Sequence, residues 1–165
     1  MKFIKGGVCA AQGFLANGVH CGIRKNRTKR DLALIYSVVP ATAAAVYTTN
    51  LVKGAPLIVT KAHLENGIAQ AVICNSGNAN TCNANGIEIA EKMSDLVANA
   101  LSINANDVVV ASTGVIGQPL NIEPIANGMN QLSKGLSNEN GSLAAEAIMT
   151  TDLAQKEVAV EFTIR

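Results

Sequence analysis

Three short polar segments hold most of the side chains in this 165-residue chain that could act on a ligand. One is Ala111-Ser112-Thr113-Gly114-Val115-Ile116-Gly117-Gln118-Pro119, which leaves a β-branched run and sets the Thr113 hydroxyl beside the Gly114 amide. Glycine lets backbone come close to a ligand, and the neighbouring hydroxyl is a second donor. Two such donors could stabilise a developing oxyanion, although a plain glycine turn would use the same residues. A second segment, Asn75-Ser76-Gly77-Asn78-Ala79-Asn80-Thr81-Cys82-Asn83-Ala84-Asn85-Gly86, joins an apolar run to an amphipathic one. Its side chains can cap a helix and bond turns, but it is longer than a turn requires. Amide donors after the carboxyl end of a strand are well placed for ligand contacts in α/β sheets. The third segment, Ile148-Met149-Thr150-Thr151-Asp152, offers two hydroxyls and a carboxylate. These could hold an amino or carboxylate group, or cap and turn the chain.

The usual side-chain acids and bases are scarce. Only His20 and His63 are present, and His63 reads as a surface or packing residue after a strand. There is no Gly-x-Ser-x-Gly elbow, His-Glu-x-x-His helix, Walker phosphate loop or Gly-x-Gly-x-x-Gly fingerprint. Cys9, Cys21, Cys74 and Cys82 form no Cys-x-x-Cys pair, and no His lies at metal-ligand spacing, so reduced, buried thiols are expected, with Cys82 in the polar loop. Five of the 13 basic residues fall in residues 24–30, while the rest of the chain carries 8 basic and 12 acidic side chains. With aromatics at only 3%, that run reads as a solvated loop rather than a nucleic-acid surface. No apolar run approaches a bilayer span and no charged-then-apolar leader follows Met1, so a cytoplasmic protein without a membrane segment is expected.

These segments must be positioned by strands and helices rich in Ala, Val, Ile and Leu. Short apolar runs bounded by Pro and Gly predict strands at 32–39, closed by Pro40, and at 43–49, 57–60, 69–74 and 107–111. Ile89, Met93, Leu96, Val97, Ala100 and Leu101 recur at steps of three and four, which predicts the main helix. Asn121 as cap and Pro124 in the first turn announce a second, striped by Ile125, Met129, Leu132 and Leu136. A third is expected at 142–149, capped by Ser142. Strict alternation at 157–165 predicts a final strand, whose partner must be an earlier strand or another chain. With no internal repeat or linker, residues 1–165 read as one α/β domain.

Taken in order, six motifs are more specific than any alone. Gly13-Phe14-Leu15-Ala16-Asn17-Gly18, Asp31-Leu32-Ala33-Leu34-Ile35, Val39-Pro40-Ala41-Thr42-Ala43-Ala44-Ala45-Val46-Tyr47-Thr48-Thr49-Asn50, Asn75-Ser76-Gly77-Asn78-Ala79-Asn80, Ala111-Ser112-Thr113-Gly114-Val115-Ile116-Gly117 and Met149-Thr150-Thr151-Asp152 span most of the chain. In this order they closely resemble the ornithine acetyltransferase (glutamate N-acetyltransferase) family of arginine biosynthesis. The basic run and the Asn-Thr-Cys-Asn-Ala-Asn stretch depart locally from the family pattern.

The resemblance implies an amino-terminal-nucleophile-like α/β/β/α sandwich, completed by a separate β chain. Family members are made as one precursor that cuts itself before a threonine, giving α and β chains that assemble as an α2β2 heterotetramer. The threonine that begins the β chain takes the acetyl group from N-acetylornithine and passes it to glutamate. Some members also accept acetyl-CoA as a substrate, and no other cofactor is implied. This chain resembles the α chain, ending before the cleavage threonine. Thr113 and Gly114 match the family's oxyanion pair and Thr150 its substrate-binding threonine, with Thr151 as the neighbouring alternative; the nucleophile and a substrate-binding lysine are expected beyond Arg165. Two rivals remain on the residues alone. One is an amidase or aminopeptidase on a related self-cleaving scaffold, and the other is a non-catalytic domain that binds a small anion or nucleotide.

Overall fold

A computed structural model describes residues 1–26 and 28–164. Its centre is a four-stranded sheet in the order β2 (Phe14–Val19), β3 (Leu32–Thr42), β4 (Ile68–Asn75), β5 (Val108–Ser112). The first three strands run antiparallel, while β4 and β5 are parallel and register Ile73 on Val110 and Asn75 on Ser112. A parallel pair needs a crossover, and α2 (Gly86–Leu101) supplies it. The same three helices that follow the sheet's strands, α1 (Ala55–His63), α2 and α3 (Glu123–Lys134), cover one sheet face. There Leu32, Leu34, Ile73, Val108 and Val110 are buried against Val59, Met93, Val97, Ile125 and Leu132. Each such side chain contributes about 1.5–3 kcal/mol on leaving water.

The opposite face is built differently. Ala16 and Ala33 meet Ala144 and Ala147 of α4 (Gly141–Ala147), beside Cys9. With side chains this small the helix lies almost on the sheet backbone, and a Cβ at Gly18 would run into the Leu143 carbonyl. A separate two-stranded pair joins β1 (Lys2–Ile4) to β6 (Ala159–Glu161). No described helix is long and apolar enough to cross a membrane.

The strands at β4 and β5 and the helices α2 and α3 fall where their patterns predict. Asn121 does receive the Glu123 N–H (3.0 Å), although the helix itself starts after Ile122. Other expectations need correction. Residues 57–60 lie within α1: Gly54 caps it, and Pro56 occupies the first turn, where its missing N–H costs nothing. Four apolar residues cover barely one helical turn, so no period could separate the two readings. The β-branched Thr60 serves a purpose here, because its hydroxyl donates to the Val110 carbonyl (2.9 Å) and accepts the Val110 N–H (3.0 Å). His63 ends this helix rather than following a strand, and its Nδ1–H donates to the Val108 carbonyl at 2.8 Å. Together they occupy the outer edge of β5.

Pro40 does not close β3. The strand runs on to Thr42 across a register shift between Tyr36 and Ala41, an irregularity where a residue without N–H is tolerated. Residues 43–49 are irregular instead of a strand, with no strand among the described residues to pair them and Val46 at 99% exposure. α4 begins at Gly141 after Asn140, so Ser142 stands inside it and not at its cap. The terminal alternation yields only three paired residues, since β1 has three to offer: Lys2 faces Glu161, Phe3 faces Val160 and Ile4 faces Ala159. The rest of that segment through Ile164 is unpaired, and Arg165 lies outside the described residues.

Candidate functional site

Because β4 and β5 are parallel, the loops that leave their carboxyl ends start side by side. Asn75, fully buried at the end of β4, ties them together: its Nδ2 donates to Ser112 Oγ at 2.7 Å, and its carbonyl receives the Thr113 N–H at 3.0 Å. Its Oδ1 accepts the N–H groups of Gly77 (3.2 Å) and Asn78 (3.0 Å), which bends the chain back at once. Into that bend fits Gly114. Its φ of +130° disfavours any residue with a side chain, and a Cβ there would stand 2.6 Å from the Gly77 carbonyl carbon. The pairing continues as Ala79 N–H donates to the Val115 carbonyl (2.9 Å) and Asn78 Nδ2 to the Gln118 carbonyl (2.9 Å).

The asparagine-rich segment therefore acts mainly by stapling backbone. Asn78 Oδ1 accepts the Asn80 N–H at 2.7 Å, and Asn80 Nδ2 reaches the Gly86 carbonyl at 2.8 Å where α2 begins. Cys82 is exposed on this loop, so the expectation of buried thiols fails there. Cys9 is buried. Cys21 is half-buried, and desolvation, followed by the Asp31 charge beside it, pushes its thiol up to about 12. Burial alone pushes Cys74 up to about 11.

A cleft of about 670 Å³ opens over these loops. It is lined by Thr113 and Gly114 from the loop after β5, by Ser76 and Gly77 from the loop after β4, and by Thr150 and Thr151 from the exit of α4. All four residues singled out in the sequence thus meet at one place. Within the described residues the Thr113 hydroxyl and the Gly114 N–H enter no internal hydrogen bond, which leaves two adjacent donors for a ligand oxygen. Asp152 does not join them. It pairs with Lys156, whose hydrogen bond and charge hold its carboxyl below the usual range. His20 and His63 are also elsewhere: His20 Nδ1 lies 3.0 Å from the Lys29 carbonyl and 3.3 Å from Asp31 Oδ2.

The basic run is not simply solvated. Arg24, Lys25 and Asn26 form one wall of the cleft. Arg24 Nε donates to the Ser76 carbonyl at 2.7 Å and its Nη2 to the Met149 carbonyl. Arg30 Nε donates to the Gly18 carbonyl at 3.0 Å and pairs with Glu146 of α4 at 2.5 Å. Lys25 and Lys29 are exposed, and Arg27 lies outside the described residues. Charge density alone does not reveal this; the one acidic residue next to the run, Asp31, is the signal the sequence offers, and the structure buries it as the acceptor of the turn. Among the described residues no group of His, Cys, Asp and Glu is arranged to hold a metal ion.

Known proteins share both the sequence and the geometry. The chain is 47% identical to the arginine biosynthesis bifunctional protein ArgJ of Caldanaerobacter subterraneus subsp. tengcongensis, covering 99% of this chain and 40% of that protein. The ArgJ of Symbiobacterium thermophilum is likewise 47% identical, over 99% of this chain and 41% of its own length. The chain thus spans about two fifths of the curated relatives it matches. Among solved structures, ornithine acetyltransferase complexed with ornithine from Mycobacterium tuberculosis superposes with a TM-score of 0.89 at 38% identity, covering 95% of this chain and 86% of that one. The ArgJ structure from Bacillus halodurans gives 0.86 at 39% identity, with 95% and 83% covered. The ArgJ family model matches residues 15–165, the stretch that carries all of the central sheet but Phe14 and every residue of the cleft, and the chain belongs to the ArgJ family.

Proposed function

We propose that this chain forms the oxyanion and substrate-contact half of an ornithine acetyltransferase active site. The observation that carries the reading is the convergence of Thr113, Gly114, Thr150 and Thr151 on one cleft, from segments far apart in sequence. The relatives' arginine-biosynthesis names and the ornithine held by the Mycobacterium tuberculosis protein favour the same substrates here.

In this reading a threonine that begins the companion β chain, cut from the same precursor, attacks the acetyl carbonyl of N-acetylornithine. Its own α-amine takes the hydroxyl proton, so the scarcity of histidine is no obstacle. The carbonyl oxygen becomes an oxyanion between the Thr113 hydroxyl and the Gly114 N–H. Collapse breaks the C–N bond, the ornithine amine leaves with the proton, and an acetyl-threonine ester remains. The glutamate amine then attacks that ester and regenerates the threonine. Thr150 holds the substrate beside the donors, with Thr151 as the alternative contact. The chemistry needs no cofactor, and acetyl-CoA could deliver the same acetyl group as a second donor. The full assembly is an α2β2 heterotetramer in the cytoplasm, whose β chain completes the sandwich around one α-chain domain.

Incubating the complete two-chain protein with N-acetylornithine and glutamate should yield N-acetylglutamate and ornithine. Failure to transfer acetyl with both chains intact overturns the proposal. Amide hydrolysis that proceeds without an acceptor amine would point instead to an amidase.

A further inference from the structure

Arg24 lines the cleft, yet the acyl-transfer reading gives it no part. Its main chain is fixed, because its N–H donates to the fully buried Asp31 carboxylate at 2.9 Å. The same carboxylate accepts the N–H groups of Cys21 (2.7 Å) and Gly22 (3.2 Å), closing a turn around the charge. From that anchor the guanidinium bridges two loops, with Nε on the Ser76 carbonyl at 2.7 Å and Nη2 on the Met149 carbonyl. Ser76 is held from its other sides as well: its N–H donates to the Asp31 carbonyl at 3.0 Å and its hydroxyl to the Ala147 carbonyl.

The two acceptors are the immediate neighbours of the residues that matter. Gly77, next to Ser76, is the backbone against which Gly114 is pressed, and Thr150 follows Met149. Resting on the functional reading above, we propose that Arg24 is a positioning residue that sets Thr150 in register with the Thr113 and Gly114 donors. A guanidinium offers its donors in a rigid plane, so binding two carbonyls at once fixes the angle between their loops; a lysine ammonium is a point charge on a flexible stem and cannot. Both bonds are charge-assisted and correspondingly strong.

The test uses the complete two-chain protein carrying Arg24→Met or Arg24→Lys, each made with Thr150 present and in a Thr150→Ala background. Misplacing a substrate contact by about 1 Å costs about 10²-fold in rate, so Arg24→Met should lower kcat on that scale, with KM moving less and Arg24→Lys restoring little. In the Thr150→Ala background the same change should cost no more than about threefold, because coupled residues are not additive. An equal cost in both backgrounds, or parental rates in Arg24→Met, overturns the proposal. Amide hydrogen exchange reads the bridge independently of catalysis. Arg24→Met should speed exchange about tenfold at 76–79 and at 147–151 together, leaving 71–74 unchanged. Unchanged exchange at either loop overturns the proposal whatever the activity. Should the parent protein itself transfer no acetyl group, the functional reading falls and the exchange experiment alone decides the role of Arg24.

Discussion

On one face of the four-stranded sheet, Leu32, Leu34, Ile73, Val108 and Val110 meet the aliphatic side chains of α1, α2 and α3; on the other, Ala16 and Ala33 meet Ala144 and Ala147 of α4. The first face removes far more apolar surface from water, and stability follows buried area. The second gives up that gain in exchange for proximity. With alanine and glycine at the contact, α4 approaches the sheet closely enough for Ser76 Oγ to reach the Ala147 carbonyl, which delivers Thr150 and Thr151 to the cleft. Large residues hold the molecule together, and small ones aim the site.

Substitutions on the two faces should separate these roles. The largest effect on stability is expected from Ile73→Ala, which should cost about 2–5 kcal/mol in denaturant unfolding while leaving the rate of the folded protein close to that of the parent. Thr113→Ala is the mirror case: kcat should fall about 10²–10³-fold, with unfolding almost unchanged and ornithine binding far less affected. Equal effects of Thr113→Ala on transfer and binding would overturn the proposed oxyanion role. Gly18→Ala tests the small face. The added methyl pushes against Leu143, so about 1–3 kcal/mol of stability should be lost, and kcat/KM should fall more than the Ile73 variant's. If Gly18→Ala destabilises without slowing transfer, the division between the faces is wrong.

Near neutral pH the smallest effect is expected from the thiols, whose influence emerges only in alkali. In the unfolded chain Cys21 and Cys74 lose their protons near 9.0, whereas in the fold they keep them to about 12 and about 11. The folded state then binds more protons over that interval, so stability should be fully present below pH 9 and decline as pH rises toward 11–12. Cys21→Ser and Cys74→Ser together should flatten the decline in unfolding measured across that range. Alkylation at pH 8 should modify Cys82 first, since it alone is exposed.

What could be read before the structure was long or periodic. Sixteen residues of α2 repeat their stripe often enough to exclude a strand, and the β-branched centre of β5 has no helical alternative at its length. α1 is not legible in this way, because Pro56 and Gly54, its real signals, serve equally as boundaries of a strand. β2 escapes for a related reason: its Ala16, Asn17 and Gly18 are poor strand formers, Ala16 and Gly18 allowing α4's approach while Asn17 donates to the Gln131 and Leu132 carbonyls of α3 on the other face. The four cleft residues were legible through their motifs, while their meeting depends on the parallel crossover and on α4's close seat. Arg24 was hidden among other charges, and its use lies in acceptors contributed by distant carbonyls, which leave no mark in side-chain chemistry.

The side-chain bonds of Thr60 and His63 along β5 have a counterpart across the sheet, where Ala16 exchanges both backbone bonds with Ser137. A strand offered from outside finds the middle of each margin already taken. Association by lateral growth of this sheet, the usual path to fibrillar stacking, is thereby blocked at both ends.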